Sequence, residues 1–252
     1  EGRWGDLWMS PHHERPDAWF VVNSPRRHGA WFAQPHRPER TVLWGVEHSK
    51  AAWRKKYHYD RWQQDGRYLA VLDHARRLNW VEFHIGRSFR ELVASPPSGT
   101  DGHEKTRTLS AVIGSAFDLD GHRKRIELLR DLDQRDLSFL ATPFDHFGHD
   151  NRHGLGHYRG SLAPYHKEPG LEPYRYSLAI EATSERNYAT EKIFDCLLCE
   201  TLPFYWGCPN LEEWLDPECF VRLDLDTPGA AYRTIRDAIE GDEYTRRLPA
   251  IR

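Results

Sequence analysis

An α/β fold built on a mainly parallel sheet is what the sequence predicts, on three observations. From Thr108 onward, apolar runs of strand length alternate with stripes of helix length. A turn-rich segment, Pro96-Pro97-Ser98-Gly99-Thr100-Asp101-Gly102, separates that half from an N-terminal part with strand-like runs of its own. Alternation of the β-α-β kind buries a parallel sheet between helices, and such sheets bind ligands at the carboxyl ends of their strands. The expected division is a smaller α/β domain over residues 1–100 and a second over 101–252.

The elements follow in order. Residues 19–22 and 41–44 are apolar runs and read as strands, while 68–77 fits either a helix or a strand. Residues 108–113 form the first strand of the second half. Residues 121–133 carry Ile126, Leu128, Leu129 and Leu132 on one helical face. Residues 137–141 and 174–180 are further strand candidates. Thr190 offers an N-cap oxygen to a helix with Ile193, Leu197, Leu198 and Leu202 along one side, and Pro203 is expected to end it. Residues 204–206 read as a short buried strand closed by Gly207, residues 219–225 as an alternating strand, and 230–240 as a helix.

Composition removes several function classes. Hydrophobic residues make up 39% and charged residues 29%, as in an ordinary globular protein rather than a disordered one. A net charge of −3 supplies no basic field for nucleic acid. No apolar run reaches the roughly 18 residues of a membrane helix, and no signal-peptide pattern opens the chain. The chain starts at Glu1 without Met, which leaves an earlier anchor or targeting segment open. Ten Trp and 11 Tyr suit stacking on sugars or bases, although core roles account for most of them. Cys196-Leu-Leu-Cys199 invites a zinc or redox reading. It lies inside an apolar helical pattern, however, and Cys208 and Cys219 form no second CxxC, so buried reduced thiols and a cytoplasmic setting are expected.

The most informative stretch runs from Glu181 to Lys192, from a strand end to a helix start. Unpaired N–H groups at a helix N-terminus bind anions. Glu191 suits the first turn, whereas Lys192 opposes the helix dipole. Lys192 makes sense if it faces a phosphate, and equally as a solvated side chain. A second cluster, Asp145, His146, His149, Asp150, His153 and His157, would place three histidines on one helix face as zinc ligands. Gly148, Gly154 and Gly156 break that helix, so a His-rich loop near the ligand cleft is expected instead.

The stretch resembles the signature of glycosyltransferase family 10, the α-1,3/1,4-fucosyltransferases, which read E-N-S followed by Y-x-T-E-K. Glu181, Thr183, Tyr188, Thr190, Glu191 and Lys192 match at the family's spacing, continuing through Asp195 and Leu202-Pro-Phe-Tyr-Trp-Gly207 and upstream to Tyr174-Arg-Tyr176. Arg125 matches a family Arg followed by apolar residues at Leu128, Leu129 and Leu132. On the residues alone it reads as a surface charge in Arg123-Lys-Arg125. The segments Asn79-Trp-Val-Glu-Phe-His84 and Lys105-Thr-Arg-Thr-Leu-Ser110 look like bacterial members.

The resemblance implies a GT-B-type enzyme: two Rossmann-like domains facing across a cleft, the first binding the acceptor and the second the nucleotide-sugar donor. It implies inverting transfer of L-fucose from GDP-fucose to a glycan hydroxyl, with no required cofactor and metal stimulation left open. Arg125 and Lys192 would hold the donor diphosphate. Tyr188, Glu191, Glu181 and Thr190 would line the donor site. Thr41-Val-Leu-Trp-Gly-Val-Glu47 is similar to the family's first-domain strand ending in the catalytic base, which makes Glu47 the base and His48 and Ser49 acceptor-side residues. Read alone, Glu47 is a polar residue closing a strand. Ala182 departs from the family, which carries Asn there. That departure keeps two alternatives: an inverting transferase for another nucleotide sugar, and a non-catalytic binding module on the same fold. The expected setting is cytoplasmic, with membrane association open.

Overall fold

Strands of the second half build a six-stranded, wholly parallel sheet whose central members are buried. Its strands are β6 (Arg107–Val112), β7 (Asp145–Phe147), β8 (Tyr158–Gly160), β9 (Tyr174–Ile180), β10 (Leu202–Trp206) and β11 (Val221–Arg222), in spatial order β11-β10-β9-β6-β7-β8. The chain starts in the middle of the sheet, runs to one edge, and returns to build the other. This is the doubly wound order of dinucleotide-binding sheets, and its switch point lies between β6 and β9. The computed structural model describes residues 2–4, 7–9, 18–22, 38–45, 66, 68–73, 83–87, 91 and 105–252.

Backbone contacts divide the chain into two compact units, Glu1–Asn79 and Trp80–Arg252. The first holds an antiparallel pair, β1 (Gly2–Trp4) and β2 (Leu7–Met9), and a parallel sheet of β3 (Trp19–Val22), β4 (Thr41–Gly45) and β5 (Ala70–Asp73), with β4 central. Residues 70–73 of the ambiguous 68–77 run are therefore strand. Residues 83–87 belong to the second unit.

Leu109, Ala111 and Ile113 share one face with Tyr176, Leu178 and Ile180 and with Leu202, Phe204 and Trp206. Helix α1 (Asp120–Gln134) lays Ile126, Leu128, Leu129 and Leu132 on that core, and α3 (Ala230–Glu240) adds Ala231, Ile235 and Ala238. Tyr244 of α4 (Glu243–Ile251) completes it. Helix α2 (Glu191–Leu198) buries Ile193, Phe194 and Cys196 elsewhere against β9 and β10. No helix among the described residues is long and apolar enough to cross a membrane.

Four expectations need correction. Residues 137–141 form a turn rather than a strand, closed by Leu140 N–H to Leu137 O at 3.0 Å. The Asp136 carboxylate accepts from Ser138 N–H and Oγ–H, each at 2.9 Å, a local bond that competes with any ladder. The strand forms later, in the polar Asp145-His146-Phe147. There Asp145 is buried and paired with Arg107 (2.5 Å) and Arg159, and it accepts from Tyr174 Oη at 2.9 Å. Helix α2 stops at Leu198, before Leu202, because Glu200 turns left-handed (φ 52°), and Pro203 lies inside β10. Pro203 sits outside the β10–β11 pairing, so its missing N–H costs no bond on that side. Finally, the expected strand over 219–225 shrinks to Val221–Arg222, since Pro217–Cys219 coil into a 3₁₀ turn.

Candidate functional site

The site forms at the switch point, where the start of α1 approaches the loop that leads from β9 into α2. The chain enters α1 through Leu119, which has no side-chain acceptor, so that helix start carries no side-chain cap. Gly121 N–H donates to Ala182 O at 3.0 Å, tying α1 to the loop after β9. A Cβ on Gly121 would sit 2.7 Å from the Ala182 carbonyl carbon, so this approach requires glycine.

Thr190 occupies the N-cap position of α2, but its side chain does not cap the helix. The hydroxyl donates instead to Glu181 Oε2 at 2.7 Å, and its N–H donates to Oε1 at 2.8 Å. The expected cap is thus corrected: the oxygen is drawn to a carboxylate with 0% exposure. Both helix starts consequently lack a side-chain acceptor, the condition under which an anion finds helix N–H groups.

Lys192 Nζ donates to Thr190 Oγ1 at 2.7 Å and lies 3.1 Å from Glu181 Oε2 and 3.3 Å from Glu191 Oε1. Burial alone would lower its pKa, but Glu181 and Glu191 outweigh burial and hold it well above the ordinary lysine value. Burial would raise Glu191, yet Lys192 and Lys167 pull it well below the carboxylate range. Lys167 bridges Glu191 (3.2 Å) and Asp195 (2.8 Å), and Asp195 accepts from His84 N–H at 2.6 Å. Burial raises Asp195 despite Lys167. Tyr188 is buried within the same loop and lies in the field of Lys192.

Arg125, on α1, is the exception to this pairing. It is 6% exposed, its Nε has no hydrogen-bond partner, and among the described residues no carboxylate forms an ion pair with it. Burial pushes its pKa down to about 10, opposed by Glu181, Asp118 and Glu191, so it remains cationic at neutral pH. Arg125 and Lys192 both lie in the field of Glu181 and Glu191, so the two cations face the same pair of carboxylates. An unpaired buried guanidinium is expensive to keep, and an anion at this place would remove the cost.

Sequence reasoning missed Lys167, whose local signal, a lone Lys in a Pro-rich loop, was no different from a solvated side chain. Glu47, His48 and Ser49 lie outside the described residues, past the end of β4 at Gly45. The histidine cluster has a structural use. His146 Nε2 meets Ile113 O at 2.9 Å and His153 Nε2 meets Ser115 O at 2.8 Å, so two imidazoles hold the loop that leads into α1. Among the described residues no three His, Cys, Asp or Glu side chains are grouped as metal ligands. All four cysteines are buried and unpaired, and burial pushes Cys196 up to about 12.

Gly207 keeps the Glu181 anchor in place. It has φ +155°, and an added Cβ would lie 2.7 Å from Glu181 Cβ. Gly207→Ala is expected to displace Glu181 and to destabilise the protein by about 1–3 kcal/mol, as overpacking does. Chemical denaturation measures this; an unchanged midpoint would show that the contact relaxes freely.

No protein-family model matches the chain. It is 37% identical over 57 residues to the Alpha-(1,3)-fucosyltransferase FucT of Helicobacter pylori, a match covering 23% of this chain and 12% of that protein. It is 32% identical over 56 residues to an Alpha-(1,4)-fucosyltransferase of Arabidopsis thaliana, covering 22% and 14%. The matches thus span less than a sixth of the length of either relative. The crystal structure of TarM aligns with 92% of this chain and 51% of its own, with TM-score 0.55 and 11% identity, a likeness of fold. Over these short segments the chain is similar to α-1,3- and α-1,4-fucosyltransferases, and its scaffold is an α/β fold of the GT-B type.

Proposed function

We propose that this chain transfers L-fucose from GDP-fucose to a glycan hydroxyl with inversion, as an α-1,3-fucosyltransferase type of enzyme. The observation that supports the reading is the buried Arg125, which forms no ion pair among the described residues and shares the field of Glu181 and Glu191 with Lys192. A diphosphate there would pair Arg125 and take hydrogen bonds from Lys192. The acceptor oxygen bonds to the anomeric carbon as the bond from that carbon to the β-phosphate oxygen breaks. The charge that appears on departing GDP then falls between two cations held in advance. Glu191 would accept from donor hydroxyls, with Thr190 and Tyr188 as further donor contacts. Glu181, with no exposure and both oxygens engaged, positions Lys192 and Thr190 rather than touching the donor. The acceptor's proton goes to the Glu47 carboxylate from the first domain. The domain roles follow: acceptor binding in the N-terminal domain and donor binding in the C-terminal one.

The test is release of GDP from GDP-fucose in the presence of a small glycan library. A parallel thermal-shift panel of other nucleotide sugars is warranted by Ala182, which stands where the family carries Asn. A shift with another donor and none with GDP-fucose would move the assignment to that sugar. Donor binding without turnover on any acceptor would favour the binding module. Glu47→Gln is expected to keep donor affinity while losing most of kcat. A near-native kcat would place the base elsewhere.

A further inference from the structure

His122 stands one helical turn before Arg125 on α1, at i and i+3, where side chains are neighbours. Its Nδ1 lies 2.7 Å from Asp118 Oδ1. An ionised carboxylate only accepts, so Nδ1 carries the proton of this bond. The Leu119 N–H, 3.5 Å from the same nitrogen, is too distant to compete. In the neutral imidazole Nε2 is then a bare lone pair, since the ring's hydrogen-bonding contacts among the described residues fall on Nδ1. The ring is mostly buried, with 14% of the side chain exposed, and the backbone of Gly121 beside it is tied to Ala182 in the loop after β9. It therefore sits at a helix start without a side-chain cap, one turn from the buried Arg125, which forms no ion pair among the described residues.

We propose that His122, held by Asp118, is a further donor-binding residue that contacts the diphosphate through a protonated Nε2. This rests on the reading of the pocket as a nucleotide-diphosphate site. The chemistry requires the proton: a neutral ring bonded to Asp118 through Nδ1–H has nothing to donate to a phosphate oxygen. The charged groups facing the ring are Asp118 from the preceding loop, Arg125 from its own helix and Lys192 from α2. Burial lowers the His122 pKa first and Arg125 adds to this, with Asp118 opposing, so the empty site favours the neutral ring. A bound diphosphate reverses the local sign of charge and draws a proton onto Nε2. Donor binding then consumes a proton. Affinity is greatest at low pH and falls as pH rises through the pKa of the bound state.

Calorimetric titration with GDP-fucose, run in buffers of different ionisation heat, counts that proton directly. The phosphates of a nucleotide sugar carry no proton that titrates near neutrality, so the count reports on the protein. The native chain is expected to take up a substantial fraction of one proton per donor bound, with Kd rising by up to about tenfold per pH unit between the pKa of the free ring and that of the bound one. In His122→Gln the uptake and the pH dependence vanish, and in Asp118→Asn they shrink. Donor binding by the native chain without proton uptake overturns the inference and leaves the donor site standing, as does uptake that persists in His122→Gln. Failure of the native chain to bind GDP-fucose takes down the donor-site reading and this inference together. The native proton count needs no variant, so a misfolded substitution does not decide the matter.

Discussion

Lys192→Met is expected to cost stability and donor affinity at once. Its ammonium is the cation that neutralises Glu181, a carboxylate with no exposure. Without it Glu181 keeps the Thr190 N–H and hydroxyl but loses its counter-charge. Breaking a buried pair on one side costs ~3–5 kcal/mol, and urea denaturation should show a loss of that order. Donor affinity should fall by about 10-fold to 100-fold, the effect of losing one charge-assisted hydrogen bond of ~1.5–3 kcal/mol. The double variant Lys192→Met/Glu181→Gln separates the two roles. A neutral amide in place of the Glu181 carboxylate no longer demands a cation, so stability should return toward native while donor affinity stays low. Recovery of donor affinity in the double variant would show that Lys192 serves the fold alone.

The parts of the fold that apolar spacing dictates were legible in the sequence. The strand over 174–180, the helix over 230–240 and most of α1 follow from burial patterns that no tertiary contact overrides. The misses share a cause. Asp145, His146 and Tyr158 lie in strands although they are polar or isolated. Partners distant in sequence satisfy the first two: Arg107, Arg159 and Tyr174 for Asp145, and the Ile113 carbonyl for His146. Leu137, Phe139 and Leu140 pack on the core from a turn, so hydrophobicity there reported burial rather than strand. In the candidate site the motif pointed to Lys192, Thr190 and Glu181. It could not show that Thr190 gives its hydroxyl to a carboxylate instead of to the helix, nor that Lys167 arrives from a separate loop to hold Glu191 and Asp195. Those depend on which loops the switch point brings together, a property of topology rather than of local spacing.

Arg125→Met is expected to act in the opposite sense from Lys192→Met on the ligand-free protein. Arg125 is as buried as a core residue, yet among the described residues its guanidinium has no ion pair, and its Nε is unsatisfied. Removing a buried charge that no ion pair among the described residues compensates should relieve desolvation. Met keeps the aliphatic volume, so a gain of ~1–2 kcal/mol is expected, at the lower end of the range seen when buried charges give way to apolar side chains. For a chain of this size that is a rise of about 2–4 °C in Tm per kcal/mol. Donor should reverse the ranking. A ligand present at 100 times its Kd stabilises the native chain by about 2.7 kcal/mol, and a variant that binds it weakly gains little. Melting curves of the two proteins, with and without GDP-fucose, should therefore exchange order. If Arg125→Met melts lower than the native chain without ligand, the guanidinium supports the fold, and its isolation in the pocket is no longer a sign of a waiting anion. If the variant melts higher and still responds to donor like the native chain, the diphosphate is held by other groups. Only the exchange of order joins the cost of an unpaired charge to a function that uses it.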